Sequence, residues 1–365
     1  MKVLNLVLTG GPYAGKTTAL ENIKKYLKER NIPCVTVPET ATELIENGII
    51  PTKDNVLKFQ SLVMKRQLVK EKDAMEYITD NYKDSKLGII IYDRGIFDNM
   101  AYLNTREDFE ELLHKNHLSE IEVLDKYDMV LDLQSLATCK PEEYGSNQNN
   151  DARKENVQLA KELDRKTTNA WINHCNLKII SSRVSLEEET KIILDYVDDL
   201  IKEKGKTYIE RFLIDDKTSN IKKYLEKDYI LITERYLDIN YHNYIFKISK
   251  RFKGGKDYIL EVYKEYNGKK VTAINERISE YKVASFLSSF NTRSIINKRE
   301  INFVENSLLY RLNIYDDKIL LEVHKDNPKE EVLLPQDLTI QEKLSDDSYN
   351  IDKDDQKKIR KLLND

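Results

Sequence analysis

The stretch LTGGPYAGKTTAL at residues 8–20 constrains the fold of this chain more than any other, because it fits the pattern G-x-x-x-x-G-K-[ST]. An apolar run, VLNLVL at residues 3–8, comes before it, and residues 16–30 after it place apolar side chains at helical spacing. A strand, a glycine-rich loop and a helix in this order predict a phosphate-binding Walker A loop rather than an incidental glycine-rich turn. The fixed positions are Gly10, Gly15, Lys16 and Thr17.

The residue types of this loop suit an anion. Backbone N–H groups of the loop and of the first helical turn point into one concavity, and glycines let the chain curl there without clashes. A lysine adds positive charge near the β- and γ-phosphates, and a hydroxyl can bind Mg²⁺. We therefore predict a Mg²⁺–nucleoside triphosphate site, with ATP and GTP both open as the nucleotide. Its residues are Gly10, Gly11, Gly15, Lys16, Thr17 and Thr18.

Composition limits the class of protein. A length of 365 residues suggests two domains, and low counts of Gly (11) and Pro (7) argue against long linkers. The net charge of −4 gives no overall nucleic-acid footprint. The three cysteines form no pair or metal spacing, which indicates a reducing compartment. We find no transmembrane-length apolar run and no room for a signal peptide before the first strand, so we expect a cytoplasmic protein.

Apolar runs alternate with helical patterns up to about residue 200, which predicts an α/β domain with a parallel sheet and helices on both faces. In such a sheet the ligand lies beyond the carboxyl ends of the strands. Residues just after each strand are therefore the candidate site residues. The predicted strands are residues 3–9, 33–38, 87–93, 127–134 and 177–181.

Charged residues follow the second and third predicted strands. Asp93 can hold Mg²⁺ through water or accept a proton from a substrate hydroxyl. Glu39 and Asp98 are candidates for an acceptor pocket, together with Arg94. Two alternatives stay open: Glu39 as a charge at a helix N-terminus, and Arg94 as part of a surface ion pair.

The segment after the fourth strand, EEYGSNQNNDARKENVQLAKELDRKTTNAW, begins polar and becomes helical. This composition is typical of a lid that carries arginines toward phosphates, which arginine binds in a bidentate manner. Arg153 lies at the junction of loop and helix and is the better candidate. Arg165 fits equally well an i,i+4 charge pattern with Lys161 on a solvated helix face.

Residues 8–188 resemble the NadR-like P-loop family, a group of AAA-type domains related to ribosylnicotinamide kinase. The resemblance rests on GGPYAGKTT, PETATEL, YDRGIFDNMAY, YDMVLDL, NNDARKEN, LAKELD and AWINHCNLKII, in that order. It implies a kinase-like fold with a lid, a Mg²⁺–nucleotide site and a separate acceptor site. The stretch QSLATCKPEEY departs from the family pattern and leaves the acceptor contacts undefined.

The sequence pattern changes after an amphipathic helix that is predicted at residues 187–206 and that ends at Gly205. Short runs rich in Tyr, Ile and Val then alternate with charged turns, which predicts an antiparallel sheet or barrel. We therefore place the domains at 1–204 and 205–365. Along two of these runs, Lys247, Ser249 and Arg251 share one face, while Lys264 has the opposite parity from Glu261. If these cations point into the barrel, the ligand that suits the interior is a polyanion. The sequence pattern by itself favours side chains that point outward into solvent.

The runs YIERFLI, TAINERISEY, NKRE and LLEVH, followed by a proline and KLSDDSY, resemble the CYTH or triphosphate tunnel domain. The resemblance implies an eight-stranded barrel whose inward cations hold a triphosphate and whose glutamates hold a divalent metal. Both E-x-E motifs keep one glutamate of two, so we expect anion binding with weak or absent triphosphatase activity. The residues carried over are Glu210 and Glu322 for metal, and Lys264, Glu276, Arg277, Lys298 and Arg311 for the ligand.

These features predict a P-loop phosphotransferase or NTPase with a second domain that binds a phosphorylated ligand. Lys16 and Thr17 position the nucleotide, Asp93 acts as metal ligand or base, and Arg153 closes on the phosphoryl group. One alternative is a nucleotide-regulated switch whose barrel binds a protein partner or, through the run KISKRFKGGK, an anionic lipid surface. Another is a polynucleotide 5′-end kinase or triphosphatase with tyrosines stacked on bases, which the net charge disfavours.

Overall fold

The structure is a computed structural model of the 365-residue chain. It describes residues 1–144, 157–202, 208–253, 255–266, 269–305, 308–325 and 331–348. The chain divides into two compact units, Met1–Gly205 and Lys206–Asp365. Each unit is described by itself.

The first unit contains the predicted parallel sheet of five strands, and the strands lie in the order β2-β3-β1-β4-β5. Its strands are β1 (Lys2–Thr9), β2 (Cys34–Val37), β3 (Leu87–Asp93), β4 (Met129–Leu133) and β5 (Leu177–Ile180). Its described helices are α1 (Lys16–Glu29), α2 (Thr40–Glu46), α3 (Val56–Asn81), α4 (Asp98–Tyr102), α5 (Arg106–Lys115), α6 (Glu120–Lys126), α7 (Leu136–Cys139), α8 (Val157–Trp171) and α9 (Leu186–Lys202). The order reverses at β1, so the loop after β1 lies where α/β sheets bind ligands.

Both faces of this sheet are buried, which explains why its strands are continuous apolar runs. Leu6 and Leu8 on one face of β1 belong to the same core as Ile23 of α1. Val7 on the other face belongs to the core that contains Trp171 of α8. Burial of one such aliphatic side chain contributes about 1.5–3 kcal/mol. The two cores hold α1 and α8 on opposite faces of β1, at the end where the glycine loop emerges.

The second unit is built on an antiparallel sheet. Its described strands are β6 (Tyr208–Ile214), β7 (Ile230–Leu237), β8 (Ile245–Phe252), β9 (Lys256–Tyr266), β10 (Lys269–Arg277), β11 (Thr292–Glu305), β12 (Leu308–Ile314), β13 (Ile319–Lys325) and β14 (Ile340–Ser348), with helices α10 (Lys222–Leu225) and α11 (Glu280–Ser289). The nine strands pair in the order β10-β9-β8-β7-β11-β12-β13-β6-β14. The predicted antiparallel domain is confirmed, but over the residues that the structure describes the sheet does not close into a barrel. The edge strands β10 and β14 come into contact, but no hydrogen-bonded ladder joins them among the described residues.

The two faces of the nine-stranded sheet differ in chemistry. One face is apolar and forms two cores with residues of α10 and α11, including Tyr224 and Phe286. The other, which we call the polar face, carries charged side chains that are nonetheless buried. Lys247 and Lys298 keep only 12% of their side-chain surface exposed, and Glu234 keeps 8%. The expectation from pattern alone, that these charges point into solvent, is therefore wrong.

Among the helices that the structure describes, none combines the length and apolar character needed to cross a membrane.

Candidate active site

The loop between β1 and α1 has the backbone shape that its glycines predict. Gly10, Tyr13 and Gly15 have φ angles of 132°, 56° and 75°. A side chain at position 10 is excluded, because its Cβ would lie 2.0 Å from the carbonyl oxygen of Leu133. Helix α1 begins at Lys16 without a side-chain cap and without an acidic residue in its first turn. Its first N–H groups therefore remain available for an anion. The hydroxyl-bearing residues Thr17 and Thr18 are both exposed there.

Lys16 folds back into this loop. Its Nζ donates hydrogen bonds to the carbonyl oxygens of Gly10 and Gly11, each at 3.0 Å. Burial, aided by Arg94, lowers the pKa of Lys16 to about 8, and nearby carboxylates oppose this shift. The ammonium group thus lies within the loop that is predicted to hold the phosphates.

Asp93 ends β3 close to Lys16. Its Oδ1 atom is buried and has no hydrogen-bond partner in the described part of the chain. Burial and the neighbouring Glu39 raise the pKa of Asp93, while Lys16 and Arg94 lower it. A carboxylate oxygen without a partner, together with the Thr17 hydroxyl, suits Mg²⁺ completed by nucleotide phosphates and water. No cluster of three or more His, Cys, Asp or Glu side chains suited to a metal occurs among the described residues.

Arg94 joins several predicted site residues. It is 8% exposed, and its backbone adopts a φ of 75°, which is rare for a residue other than glycine. One guanidinium nitrogen donates to the Gly10 carbonyl at 2.7 Å and to Asp98 Oδ1 at 3.1 Å. The Nε atom lies 3.4 Å from Glu39 Oε1. The alternative of a surface ion pair is therefore wrong, because Arg94 is buried against the loop.

Asp98 has no capacity left for a ligand. It is 4% exposed and accepts hydrogen bonds from Thr9 Oγ1, Arg94, the Gly95 N–H at 2.8 Å and Trp171 Nε1 at 3.1 Å. A substrate contact does not fit these surroundings. Asp98 instead orients the Arg94 guanidinium.

Asp132, to which the sequence analysis assigned no role, lies fully buried near the end of β4. Its Oδ2 accepts from Thr168 Oγ1 at 2.5 Å, and its Oδ1 has no hydrogen-bond partner in the described chain. Burial and the nearby Asp164 raise the pKa of Asp132 to about 7. The run YDMVLDL contains an acidic residue near the end of an apolar strand, and this pattern could have identified Asp132 as a candidate site residue.

Asp164, in helix α8, was likewise missed. Its Oδ1 accepts from the backbone N–H groups of Gly11 at 2.9 Å and Ser135 at 3.0 Å. Its Oδ2 accepts from Thr138 Oγ1 at 2.6 Å. Only the fold brings residues 11, 135 and 164 together, so no local pattern reveals this contact.

A buried polar network supports the strained Arg94 backbone from below. Gln67 donates to the Arg94 carbonyl oxygen and to Glu71 Oε1, both at 3.1 Å. Tyr127 donates to Glu71 Oε1 at 2.8 Å and accepts from the Ile96 N–H at 3.1 Å. These contacts fix the turn from 94 to 96, and with it the direction of the guanidinium.

A family model described as AAA domain matches residues 5–189, just over half of the chain. The chain belongs to the AAA domain family. The match covers the glycine loop, Asp93, Arg94 and helix α8.

Two solved archaeal structures show limited similarity. A conserved hypothetical protein, Pfu-838710-001 from Pyrococcus furiosus, is 12% identical, with 36% of this chain and 81% of that chain covered and a TM-score of 0.26. The PH1012 protein from Pyrococcus horikoshii OT3 is 14% identical, with 34% and 81% covered and a TM-score of 0.27. These values are too low to support an argument. The comparison with curated proteins finds no match.

Of the arginines predicted to act from the lid of this AAA domain, Arg153 lies outside the described residues. Arg165 is described, and it is exposed on α8 beside the buried Asp164.

Outside the AAA domain, the strand register divides the residues predicted for the second unit. Arg277, Lys298, Arg311 and Glu322 lie on the polar face. The opposite face carries Lys264, Glu276 and Glu210. Lys264 lies 5.1 Å from the centre of the Tyr244 ring, and Glu276 lies 3.8 Å from Lys282. Glu210 lies 2.6 Å from Lys325. Because neighbouring residues of a strand alternate between faces, Glu210 and Glu322 cannot form one metal site. This corrects the predicted metal pair.

Cations of the polar face are matched by carboxylates. Lys247 lies between Glu234 at 3.4 Å and Glu261 at 2.7 Å, and Lys298 lies 3.4 Å from the same Glu234. Burial disfavours the charge of Glu322, yet Arg211, at 2.8 Å, and Lys298 hold the pKa of Glu322 at about 2. Glu234, Lys247, Glu261 and Lys298 thus form a largely buried network of ion pairs on the polar face.

The basic run KISKRFKGGK does not form the cationic surface that lipid binding requires. Lys247 is paired on the polar face, and Arg251 lies 3.5 Å from Asp257. Lys253 is buried against Asp228, and Lys256 pairs with Glu280 at 2.5 Å. The remaining cation of the run, Lys250, is exposed. The structure therefore gives the lipid alternative no support.

Proposed function

We propose that this AAA-domain protein is a Mg²⁺-dependent phosphotransferase or NTPase of the kinase-like type that uses ATP or GTP. The observation that carries the proposal is the convergence of Lys16, Asp93 and Arg94 on one glycine loop at the switch point of the sheet. The resemblance to NadR-like kinases supports a phosphoryl acceptor that is a small molecule.

Each residue of this site has a task in phosphoryl transfer. On binding nucleotide, Lys16 would exchange the loop carbonyls for the β- and γ-phosphates. Thr17 and Asp93 would hold Mg²⁺, and a bound Mg²⁺ would supply charge neutralisation at the phosphates. In the alternative role, Asp93 would act as the base that accepts the proton of an acceptor hydroxyl, which the raised pKa of its buried carboxyl supports. Glu39 and Arg94 orient the acceptor beside it, and Arg153 closes on the transferred group.

For the second unit we propose binding of a phosphorylated or polyanionic ligand on the polar face. Support comes from Lys247 and Lys298, whose side chains are 12% exposed, from the half-buried Arg311 on the same face, and from the resemblance to the CYTH domain. Such a ligand would have to displace carboxylates that already pair with these cations. Because Glu210 and Glu322 lie on opposite faces, we expect little or no triphosphatase activity from this unit.

A transfer assay tests the proposal. The purified full-length chain is incubated with Mg²⁺ and γ-labelled ATP or GTP, alone and with pooled nucleosides, nicotinamide riboside and 5′-OH oligonucleotides. We expect label on one acceptor or release of labelled phosphate, lost in Lys16→Ala. Lys25→Ala, which changes an exposed lysine of the same helix, should behave like the wild type.

The outcomes separate the candidate functions. Label on an oligonucleotide would favour the polynucleotide kinase over the small-molecule kinase. Nucleotide binding with neither phosphoryl transfer nor hydrolysis would overturn the proposal that the protein is an enzyme and would favour the nucleotide-regulated switch. Neither binding nor turnover would overturn both.

A further inference from the structure

Helix α8 presents a stripe of polar side chains to the site. Asp164, Thr168 and Trp171 are spaced i, i+4 and i+7, so they lie on one face of the helix. Asp164 contacts the glycine loop, Thr168 contacts Asp132 on β4, and Trp171 contacts Asp98 beside Arg94. One helix therefore touches three separate elements of the proposed nucleotide site.

The contact of Asp164 falls on a critical peptide unit. The Gly11 N–H that donates to Asp164 and the Gly10 carbonyl that accepts from Lys16 and Arg94 belong to the same planar peptide. The peptide is therefore held from both sides, by the carboxylate on one and by two cations on the other. Because it lies between two glycines, no Cβ atom of its own two residues restricts its rotation.

The charge of Asp164 is costly in this place. The side chain is 2% exposed, it accepts hydrogen bonds from two backbone N–H groups and one hydroxyl, and the buried Asp132 lies nearby. A buried carboxylate beside another is unfavourable unless its hydrogen bonds compensate it. Simple packing of α8 does not require a charge here.

We propose that Asp164 is a positioning residue for nucleotide binding. It fixes the peptide between Gly10 and Gly11, so that the carbonyls hold Lys16 in place and the later N–H groups of the loop face the phosphates. It also ties this loop to residues 135–138 after β4. The inference rests on the proposed function, because it requires that the loop binds nucleotide.

Asp164→Asn in the full-length chain tests the inference. The amide keeps the shape but accepts fewer and weaker hydrogen bonds, so we expect the Kd for MgATP or MgGTP to rise about tenfold or more by calorimetric titration. Glu162→Gln is the matched control, since Glu162 is an exposed carboxylate of the same helix, and it should leave the Kd unchanged. Titrations are made well below the unfolding transition, which Trp171 fluorescence reports, so that a loss of stability alone does not move the result.

Gly11→Ala tests the same contact from the loop. The added Cβ would lie 2.6 Å from Asp164 Oδ1 and must displace the carboxylate. We expect weaker binding in this variant, and a double variant weakened by less than the product of the two single effects, because both changes break one contact. If Asp164→Asn does not fold, unchanged affinity in Gly11→Ala still overturns the inference.

Unchanged affinity in a folded Asp164→Asn or Gly11→Ala protein would overturn the inference, as would fully independent effects in the double variant. A wild-type chain that binds neither nucleotide would instead overturn the proposed function itself. The two failures are therefore distinguishable.

Discussion

The electrostatics of Lys16 depend on the glycine loop that surrounds it. Its Nζ donates hydrogen bonds to the carbonyl oxygens of Gly10 and Gly11, while burial and Arg94 lower its pKa to about 8. Bound phosphates are anionic, so they should raise this pKa again. Nucleotide binding then takes up a proton whenever the free protein has lost it.

This linkage predicts a pH-dependent affinity. Above pH 8 the free protein holds Lys16 neutral while the complex keeps it charged, so affinity should fall as pH rises, by up to about tenfold per pH unit. Titration of MgATP between pH 7 and pH 9.5 measures it. Any residual binding by Lys16→Ala should not depend on pH over this range, and a flat profile in the wild type would contradict the linkage.

The pKa of Asp132 is raised, whereas that of Lys16 is lowered, and the shift of Asp132 affects the stability of the fold. The folded state keeps the proton up to about pH 7, whereas an unfolded aspartate loses it near pH 4, so the folded state binds more protons between these values. Stability from this group is therefore complete below about pH 4 and is lost as pH rises through 7. Asp132→Asn should raise the free energy of unfolding at pH 8 by about 1–4 kcal/mol.

Denaturant unfolding of the wild type and Asp132→Asn at pH 5 and pH 8 measures this difference. We expect the gain at pH 8 to shrink at pH 5, where the wild-type carboxyl is protonated. An equal difference at both pH values would show that another group or a packing change dominates.

At the scale of elements, the apolar runs of the first unit predict its strands because each is buried on both faces. Predicted strands 3–9 and 87–93 correspond to Lys2–Thr9 and Leu87–Asp93, and the helix at 187–206 corresponds to Leu186–Lys202. The roles of Asp132 and Asp164 were not predictable, since they arise from contacts between residues far apart in sequence. Strand alternation in the second unit identified two faces but not the burial of the charged one, because that burial depends on contacts between residues far apart in sequence.

Glu234→Gln tests the buried ion-pair network on β7. Glu234 contacts both Lys247 and Lys298, so its neutral analogue leaves two buried cations undercompensated. We expect the free energy of unfolding of the second unit to fall by about 3 kcal/mol. Glu226→Gln, at an exposed carboxylate beside α10, should change it little.

The same variant also probes the proposed ligand. If a polyanion binds these cations, added tripolyphosphate should stabilise Glu234→Gln more than the wild type, because the competing carboxylate is gone. Equal thermal shifts, or none, would argue against the polar face as an anion site.

At the scale of the whole molecule, each unit has its own hydrophobic cores. We therefore expect thermal unfolding to depart from a single two-state transition. The one tryptophan of the sequence, Trp171, lies in the first unit and reports its unfolding alone. Nucleotide at about 100 times its Kd should stabilise that unit by about 2.7 kcal/mol.

Fluorescence and calorimetric scans with and without MgATP or MgGTP check this prediction. The transition seen by Trp171 should move upward, whereas heat absorption that belongs to the second unit should stay in place. One common shift in both signals would mean that the units unfold together.

The central claim is that residues 10–18 bind a nucleoside triphosphate through Lys16. Calorimetric titration of MgATP and of MgGTP into the full-length protein and into Lys16→Ala tests it most directly. The account predicts saturable binding of at least one nucleotide to a single site in the wild type and its loss in Lys16→Ala. Absence of binding in the wild type, or equal binding in both proteins, would contradict it.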